Sequence, residues 1–306
     1  MDFSLFAELA INGALSGLMY SLVALGIVLI YKSSSVPNLA QGAMTMLGAY
    51  VVLAIANGLG LPMWTAIPLA MATMFFVGMG IERVALRRLA GRPIIMILMM
   101  TLGLDIFIRA TTMAIWGGSG RPLHIGISDQ PLFLGPILLS RAYVVGAVVA
   151  TALFLVLMFF FSTRRGIVLR AISDDYIASW SVGISVERGV AFSWAMSSVL
   201  ATTAGVLWGS VQGVNQGLAL LLLKGLTVAV LGGLDSIGGA ILAGLLLGLL
   251  EGVASGYLDP LVGGGSRDLV MAATLILTIL IRPHGLFGRH DICLLYTSPS
   301  PRDRTR

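Results

Sequence analysis

Long apolar runs separated by short polar intervals fill the sequence, and this pattern predicts an all-α bundle of membrane-spanning helices. A helix needs about 20 apolar residues to cross about 30 Å of hydrocarbon. The second, seventh and ninth predicted spans are the weakest, because polar residues, Lys224 and a run of glycines interrupt them. We predict about nine spans, within a range of eight to ten: Leu5–Ile30, Leu39–Ala56, Pro62–Ile81, Ile94–Trp116, Ala142–Phe161, Val190–Val211, Leu218–Leu234, Ile237–Tyr257 and Leu261–Ile281.

The longest polar interval is 162–189. Within it, Asp174–Val182 is predicted to form a short helix whose acidic first turn suits the helix dipole. Tyr176 and Trp180 are four residues apart and share one face of that helix. Exposed aromatic residues beside charge are typical of protein interfaces, and an interfacial helix in the lipid headgroup belt is the alternative. The charged residues of the interval are Arg164, Arg165, Arg170, Asp174, Asp175, Glu187 and Arg188.

Composition supports the membrane interpretation. Of the 306 residues, 57% are hydrophobic and 11% are charged, whereas a soluble domain carries about 25% charged residues. The 38 glycines suit helices that pack closely in lipid. The single cysteine, Cys293, excludes an internal disulfide. The net charge of +5 is explained by basic loop residues, and no patch indicates nucleic-acid binding.

The positions of Lys and Arg predict the orientation, since cytoplasmic loops carry an excess of both. The amino terminus is therefore predicted outside and the carboxyl terminus in the cytoplasm. This places the interval 117–141 outside as a loop with a short re-entrant or surface element. It leaves only Arg121, Arg141 and Arg267 outside. The basic residues placed inside are Lys32, Arg83, Arg87, Arg88, Arg92, Arg164, Arg165, Arg170, Arg188, Arg282 and Arg289.

The last residues, 293–306, continue no earlier pattern. Their Pro, Ser and Arg content predicts a disordered tail, or a non-native segment translated from vector or adapter sequence, which is the interpretation we favour. We therefore take 1–292 as a single transmembrane domain.

Charged residues within the predicted spans are the next signal, because burying charge in a membrane is costly and usually reflects pairing or function. Asp105 and Arg109 are four residues apart, the spacing at which they meet on one helix face. Lys224 and Glu251 lie at the same predicted depth on consecutive spans. We predict that they form a salt bridge or line an outward-facing vestibule. A purely structural pair, or a lysine reaching the headgroups, is the alternative.

Two amides mark the start of the second span. Asn38 and Gln41 are candidates for hydrogen bonds across helices, and Asn38 after Pro37 is also a candidate N-cap. At the start of the eighth span, Asp235 or Ser236 is the predicted N-cap. We include Asn38 and Gln41 with the charged pairs as candidate residues of a translocation pathway.

Several chemical motifs are missing from the sequence. It contains neither G-x-x-x-x-G-K-[ST] for ATP phosphates nor H-E-x-x-H for zinc, and its three histidines are too scattered for a metal site. The short motif Gly117–Gly120 resembles that of intramembrane serine proteases, but His124 lies in the same loop and not on a partnering helix. We therefore predict no enzyme activity, catalytic residue or metal.

Four phrases match one family in the correct order. They are Gly17–Gly26, Asn38–Gly42 with Gly48-Ala49-Tyr50, Val230–Gly233 through Gly238–Ala240, and Arg282–Gly288. Together they resemble the branched-chain amino-acid ABC transporter permeases of the high-affinity leucine/isoleucine/valine type. The resemblance extends over Met1–Ile292.

The resemblance implies a set of partners. A sister permease would complete a heterodimer, two cytoplasmic ATPase subunits would bind the ATP, and a periplasmic binding protein would deliver the substrate. It also implies a location in the bacterial inner membrane, with lipid around the bundle and no cofactor in this chain.

The resemblance also gives the interval 162–189 a role in coupling. The family's R-A…A…G-I loop docks on the ATPase. The sequence departs from the family pattern at Ser179–Val182, where the family has more aliphatic residues. The residues implicated in this docking loop are Arg170, Asp174, Asp175, Tyr176, Ala178, Trp180 and Gly183.

The sequence thus predicts an ABC importer permease that moves branched-chain or related amino acids by alternating access. Urea and amides are further possible substrates. The alternative is an ion-coupled secondary transporter or channel, for which Asp105 or Glu251 would be the coupling carboxylate.

Overall fold

The computed structural model describes residues 3–89, 92–127, 130–135, 137–174 and 176–288. The predictions for Asp175 and for 293–306 fall outside these residues. The long helices are α1 (Phe3–Ser34), α2 (Gln41–Leu59), α3 (Met63–Ile81), α4 (Ile94–Trp116), α5 (Arg141–Ser162), α8 (Val186–Gln212), α10 (Ile237–Val262) and α11 (Ser266–Ile281). The shorter elements are a π-helix (Glu82–Leu86), two 3₁₀ turns (Arg87–Leu89 and Gln216–Leu220), β1 (Leu132–Leu134), β2 (Ile137–Leu139), α6 (Arg164–Asp174), α7 (Tyr176–Ser181) and α9 (Leu221–Gly232).

The predicted helical membrane bundle is confirmed. Within the described ranges, seven helices are long and apolar enough to cross a membrane, and they coincide with seven of the predicted spans. The other two segments form shorter helices, α9 with 12 residues and α11 with 16. At 1.5 Å per residue these reach about 18 Å and 24 Å, less than the hydrocarbon thickness. The count of nine and the orientation therefore stay predictions.

Helix α1 forms the centre of the bundle. Its residues between Met19 and Ile30 are apolar on nearly every face, and such a helix is stable only when neighbours surround it. Nearly all of them are buried. Helices α5, α8, α9 and α10 pack around it.

The closest packing joins α1 to α10. Gly13 and Gly17 of α1 lie against Gly244, Gly248 and Gly252 of α10, so that the two backbones touch. A Cβ atom added to Gly17 would overlap the carbonyl oxygen of Gly244, and one added to Gly248 would overlap that of Gly13. The expectation that glycine serves close helix packing is confirmed for this pair.

Hydrogen bonds link helix ends and loops at both ends of the bundle. At one end, which we call the loop end, the Lys32 ammonium at the end of α1 donates to the Asp235 carbonyl at 2.8 Å. At the opposite end, the backbones of Arg121 and Val214 exchange hydrogen bonds of 2.9 and 2.8 Å. The interval 117–141 lies at this opposite end, and its surface element is the antiparallel hairpin β1–β2.

The α1–α10 contact predicts a difference between two glycine substitutions. Gly248→Ala should lower the free energy of unfolding by about 1–3 kcal/mol, because the added methyl group forces the helices apart. Gly103→Ala in α4 should be neutral or stabilising, since a Cβ there meets no atom within 4 Å and alanine favours the helix. Thermal unfolding in detergent measures both. Equal midpoints would show that α1 and α10 are not in backbone contact.

Candidate functional site

The polar interval 162–189 forms two helices, which corrects the prediction of one helix over Asp174–Val182. Helix α6 ends at Asp174 and α7 begins at Tyr176. Helix α6 forms because Leu169 and Ile172 give it an apolar face that is buried against Gly189 at the start of α8. The predicted acidic first turn is also wrong, because Asp174 is the last residue of α6 and not the first residue of the following helix.

Arg170 connects this interval to the bundle. Its guanidinium Nη2 donates to the carbonyl oxygen of Phe161 at 2.6 Å. That carbonyl lies in the last turn of α5, where carbonyls lack helical partners and a basic side chain is favourable. Arg170 therefore fixes α6 beneath α5.

The tip of the interval is exposed and sharply turned. Trp180 is 71% exposed and Ala178 beside it is also exposed. Gly183 has φ +83°, and its N–H donates to the Trp180 carbonyl while the N–H of Ile184 donates to the Ser179 carbonyl. These are the two hydrogen bonds of a Schellman motif, which glycine adopts without strain. The motif ends α7 and leads directly into α8.

The amides at the start of α2 lie inside the bundle. Gln41 accepts a hydrogen bond from the Ser197 hydroxyl at 2.8 Å, and its Nε2 donates to the Ser197 carbonyl at 3.3 Å. The same hydroxyl oxygen also lies 2.9 Å from the carbonyl oxygen of Gly26 in α1, so the two acceptors share its proton. Asn38 donates to Gln41 Oε1 at 3.2 Å. Gln41 thus joins α1, α2 and α8, and the predicted hydrogen bonding across helices is confirmed.

The cap prediction for Asn38 needs correction. Helix α2 begins at Gln41, so that Ala40 is the cap residue. The Asn38 side chain instead accepts from the Ala40 N–H at 2.9 Å, which stabilises the turn before the helix. At α10 the prediction holds for Ser236, whose hydroxyl accepts from the Gly239 N–H at 2.9 Å.

Asp105 and Arg109 form the ion pair that their spacing predicts. Asp105 is buried, and its second oxygen, Oδ1, makes no hydrogen bond of normal geometry.

Lys224 and Glu251 form the second predicted ion pair, with 2.9 Å between Nζ and Oε2. Glu251 is only 2% exposed. Lys224 also lies 3.2 Å from the hydroxyl of Tyr20, whose ring stacks on Trp208 at 4.7 Å between centroids. The exposed carboxylate of Asp268 is 3.8 Å from the same ammonium. The salt bridge is confirmed, whereas its exposure to a vestibule stays a prediction.

One cluster of ion pairs at the loop end was not predicted from the sequence. Arg87 contacts Glu82 at 3.1 Å and Glu187 at 3.2 Å, which links the π-helix after α3 to the start of α8. Glu82 is buried and directly follows the apolar run of α3, and an acid at the end of a predicted span was the available signal. Among the described residues, no three His, Cys, Asp or Glu side chains are grouped to hold a metal.

The apolar bundle, with seven helices long enough to cross a membrane among the described residues, defines a multi-pass membrane protein. Residues 9–281 match the family described as branched-chain amino acid transport system, permease component. The chain belongs to this family and is a multi-pass permease of the inner membrane.

Three curated proteins illustrate the similarity. The branched-chain amino acid permease protein BraD of Pseudomonas aeruginosa is 29% identical, with 94% of this chain and 97% of BraD covered. LivH of Salmonella typhimurium is 29% identical, with 95% and 98% covered. LivM of the same organism is 24% identical, with 88% and 68% covered. LivH and LivM are both described as high-affinity branched-chain amino acid transport system permease proteins.

The Lys224–Glu251 pair predicts strong non-additivity in a double-mutant cycle. Lys224→Met alone should cost about 3–5 kcal/mol of unfolding free energy, because it leaves the Glu251 carboxylate buried without its cation. Adding Glu251→Leu should recover part of that loss, since both charges are then gone. Unfolding in detergent by SDS titration measures the coupling.

A control for this cycle is Asp268→Asn, which removes the exposed carboxylate near the same lysine. Such an exposed pair is worth less than about 1 kcal/mol. Additive costs for Lys224→Met and Glu251→Leu would show that the two side chains do not interact.

Proposed function

We propose that the chain is the permease subunit of an ABC importer, and that it moves branched-chain or related amino acids across the inner membrane by alternating access. The observation that carries this proposal is the loop α6–α7, whose tip is exposed at Trp180 and Val182, on a bundle of the branched-chain permease family. The chain itself performs no bond chemistry, and ATP is bound and hydrolysed by separate subunits.

The partners follow from this assignment. Two ATPase subunits bind at the loop end, which faces the cytoplasm, and a periplasmic binding protein delivers substrate to the opposite end. A sister permease completes the membrane core as a heterodimer. Similarity of the chain to both LivH and LivM of one organism supports such a pair.

The loop is built to contact an ATPase. Arg170 and the apolar face of α6 hold the loop against the bundle. The Schellman turn at Gly183 fixes the direction of α7 relative to α8, which follows it. Trp180 and Val182 then face outward from the tip. A large exposed aromatic residue on a fixed element is a typical interface anchor. Asp174, Asp175, Tyr176 and Ala178 belong to the same proposed docking segment.

The polar groups inside the bundle are proposed to line or support the pathway. These groups are Asn38, Gln41, Asp105, Arg109, Lys224 and Glu251. The alternative function, an ion-coupled transporter, needs a carboxylate that binds and releases its ion. Asp105 is paired with Arg109 and Glu251 with Lys224, and a carboxylate that already holds a cationic side chain is poorly suited to that role. This pairing favours the ABC importer.

Trp180→Ala should uncouple the complex without unfolding it. Truncating an interface anchor costs about 2 kcal/mol or more of binding, a loss of roughly 30-fold in affinity. We therefore expect a marked loss of substrate-stimulated ATP hydrolysis in proteoliposomes that contain the complete complex.

Trp64→Ala is the matched control for this substitution. Trp64 is 77% exposed at the start of α3, away from the loop end, and lies outside the proposed docking segment. If both variants hydrolyse ATP normally, Trp180 does not dock and the loop helix lies in the headgroup region instead.

The substrate assignment predicts a preference in uptake. Proteoliposomes with the ATPase subunits, the sister permease and the cognate binding protein should accumulate labelled leucine on ATP addition and leave labelled urea outside. Uptake of urea but not leucine would contradict the assignment. Leucine uptake that follows an ion gradient without ATP would favour the secondary transporter.

A further inference from the structure

A cavity at the end of the bundle opposite the loop end has a basic lining. It has a volume of about 390 Å³ and lies between the loop that follows Arg121, the start of α5 and the end of α8. Its lining includes Arg141, the imidazole of His124 and the hydroxyl groups of Ser140 and Ser210. None of the described residues that line it is acidic. The cavity therefore suits an anionic group.

Arg141 is the unusual member of this lining. It is half-buried, yet its side chain makes no hydrogen bond or ion pair with the part of the chain that the structure describes. Arg121, by contrast, donates to the Trp116 carbonyl at 2.8 Å. Arg141 is also the first residue of α5, where the positive end of the helix dipole disfavours a cation. Helix stability therefore does not explain this arginine, whereas an anion in the cavity would neutralise it.

The depth of Arg141 places the cavity at the surface of the bilayer. Helix α5 has 22 residues and is about 33 Å long at 1.5 Å per residue, close to the hydrocarbon thickness of about 30 Å. Its two ends therefore lie at the two headgroup regions. Arg141 is thus at the level of the lipid phosphates, and the arginine fork binds phosphate oxygens through two parallel N–H groups.

An exposed apolar stripe on α5 continues from Arg141 into the membrane. Val148 and Leu155 follow at intervals of seven residues, about two helical turns each, and Phe159 lies one turn further on the same face. All three side chains are more than half exposed. A phospholipid with its phosphate on Arg141 would place its acyl chains along this stripe. An acidic side chain of a partner protein would need no such stripe, so the combination favours a lipid.

We propose that this cavity binds the headgroup of an anionic phospholipid, with the phosphate on Arg141 and His124 and the acyl chains along α5. Basic pockets between membrane helices bind anionic headgroups in this way. A negatively charged headgroup is preferred to a zwitterionic one, because no acidic residue of the described lining can pair with choline or ethanolamine. The proposal requires only that α5 crosses the membrane and does not depend on the transported substrate.

Native mass spectrometry of the purified full chain in detergent tests the proposal. Titration with dioleoylphosphatidylglycerol or dioleoylphosphatidylcholine gives the affinity for the first bound lipid. Phosphatidylglycerol should bind at least about tenfold more tightly, the typical effect of one charge-assisted hydrogen bond. Equal affinities would overturn the proposal. Displacement of the lipid by an equal concentration of glycerol 1-phosphate would also overturn it, because the cavity would then take a soluble anion.

Substitutions at the arginine locate the site. Arg141→Gln should weaken phosphatidylglycerol binding about tenfold and remove the preference over phosphatidylcholine, whereas Arg141→Lys keeps the charge and should keep most of the preference. Arg267→Gln is the matched control, because Arg267 is an exposed arginine near the start of α11 at the same end of the bundle. It should bind both lipids as the unchanged chain does. Thermal unfolding in lipid-free detergent checks that each variant is folded.

Equal losses in Arg141→Gln and Arg267→Gln would indicate unspecific attraction to basic residues and overturn the proposal. So would a preference that Arg141→Gln leaves unchanged, because the lipid would then bind elsewhere.

A carboxylate of a partner protein is the competing occupant of the cavity. Binding of the purified periplasmic binding protein to the complete complex distinguishes the two. If Arg141→Gln weakened that binding and left the lipid preference unchanged, the cavity would be a protein-docking site and the lipid proposal would be wrong. A lost lipid preference with unchanged affinity for the binding protein would support the lipid.

Discussion

The backbone contact between α1 and α10 is the constraint on which the rest of the bundle depends. Lipid tails are as apolar as leucine, so membrane helices gain little from hydrophobic burial against one another and associate through close packing. Gly17, Gly244 and Gly248 allow the two backbones to touch. This contact holds α1 at the centre, and α5, α8 and α9 then complete the enclosure around it.

Close packing also determines how the bundle treats its polar groups. With little space for water, a buried polar atom needs a protein partner. The Ser21 hydroxyl donates to the Ala240 carbonyl of α10 at 3.1 Å, and Gln41 bonds Ser197 of α8. Between α9 and α10, the buried Glu251 carboxylate likewise has a protein partner, the ammonium of Lys224. Each interaction joins two helices and specifies their relative register.

The sequence predicts the parts of this structure that depend on local spacing or on depth. Asp105 and Arg109 are one helical turn apart, which predicts their ion pair. The common depth of Lys224 and Glu251 on consecutive spans predicts the other pair. Partners that depend on how helices cross could not be predicted. Ser197 lies 156 residues from Gln41, and the contact of Arg87 with Glu187 requires the π-helix after α3. The loop helix was misplaced because α6 buries Leu169 and Ile172 against Gly189, a contact that local spacing does not reveal.

Helix α8 is the element best placed to connect the loop with the interior. It follows the loop after the Schellman turn at Gly183, and its first residues contact Arg87 through Glu187. Ser197 lies about 16 Å further along α8 at 1.5 Å per residue, where it bonds both Gln41 and the Gly26 carbonyl of α1. A helix moves over such distances nearly as a rigid body. Helix α8 contacts the loop through Gly189, which lies against Leu169 and Ile172, and it contacts Gln41 through Ser197. A displacement of the loop by a partner would therefore be transmitted through α8 to the hydrogen bonds of Gln41.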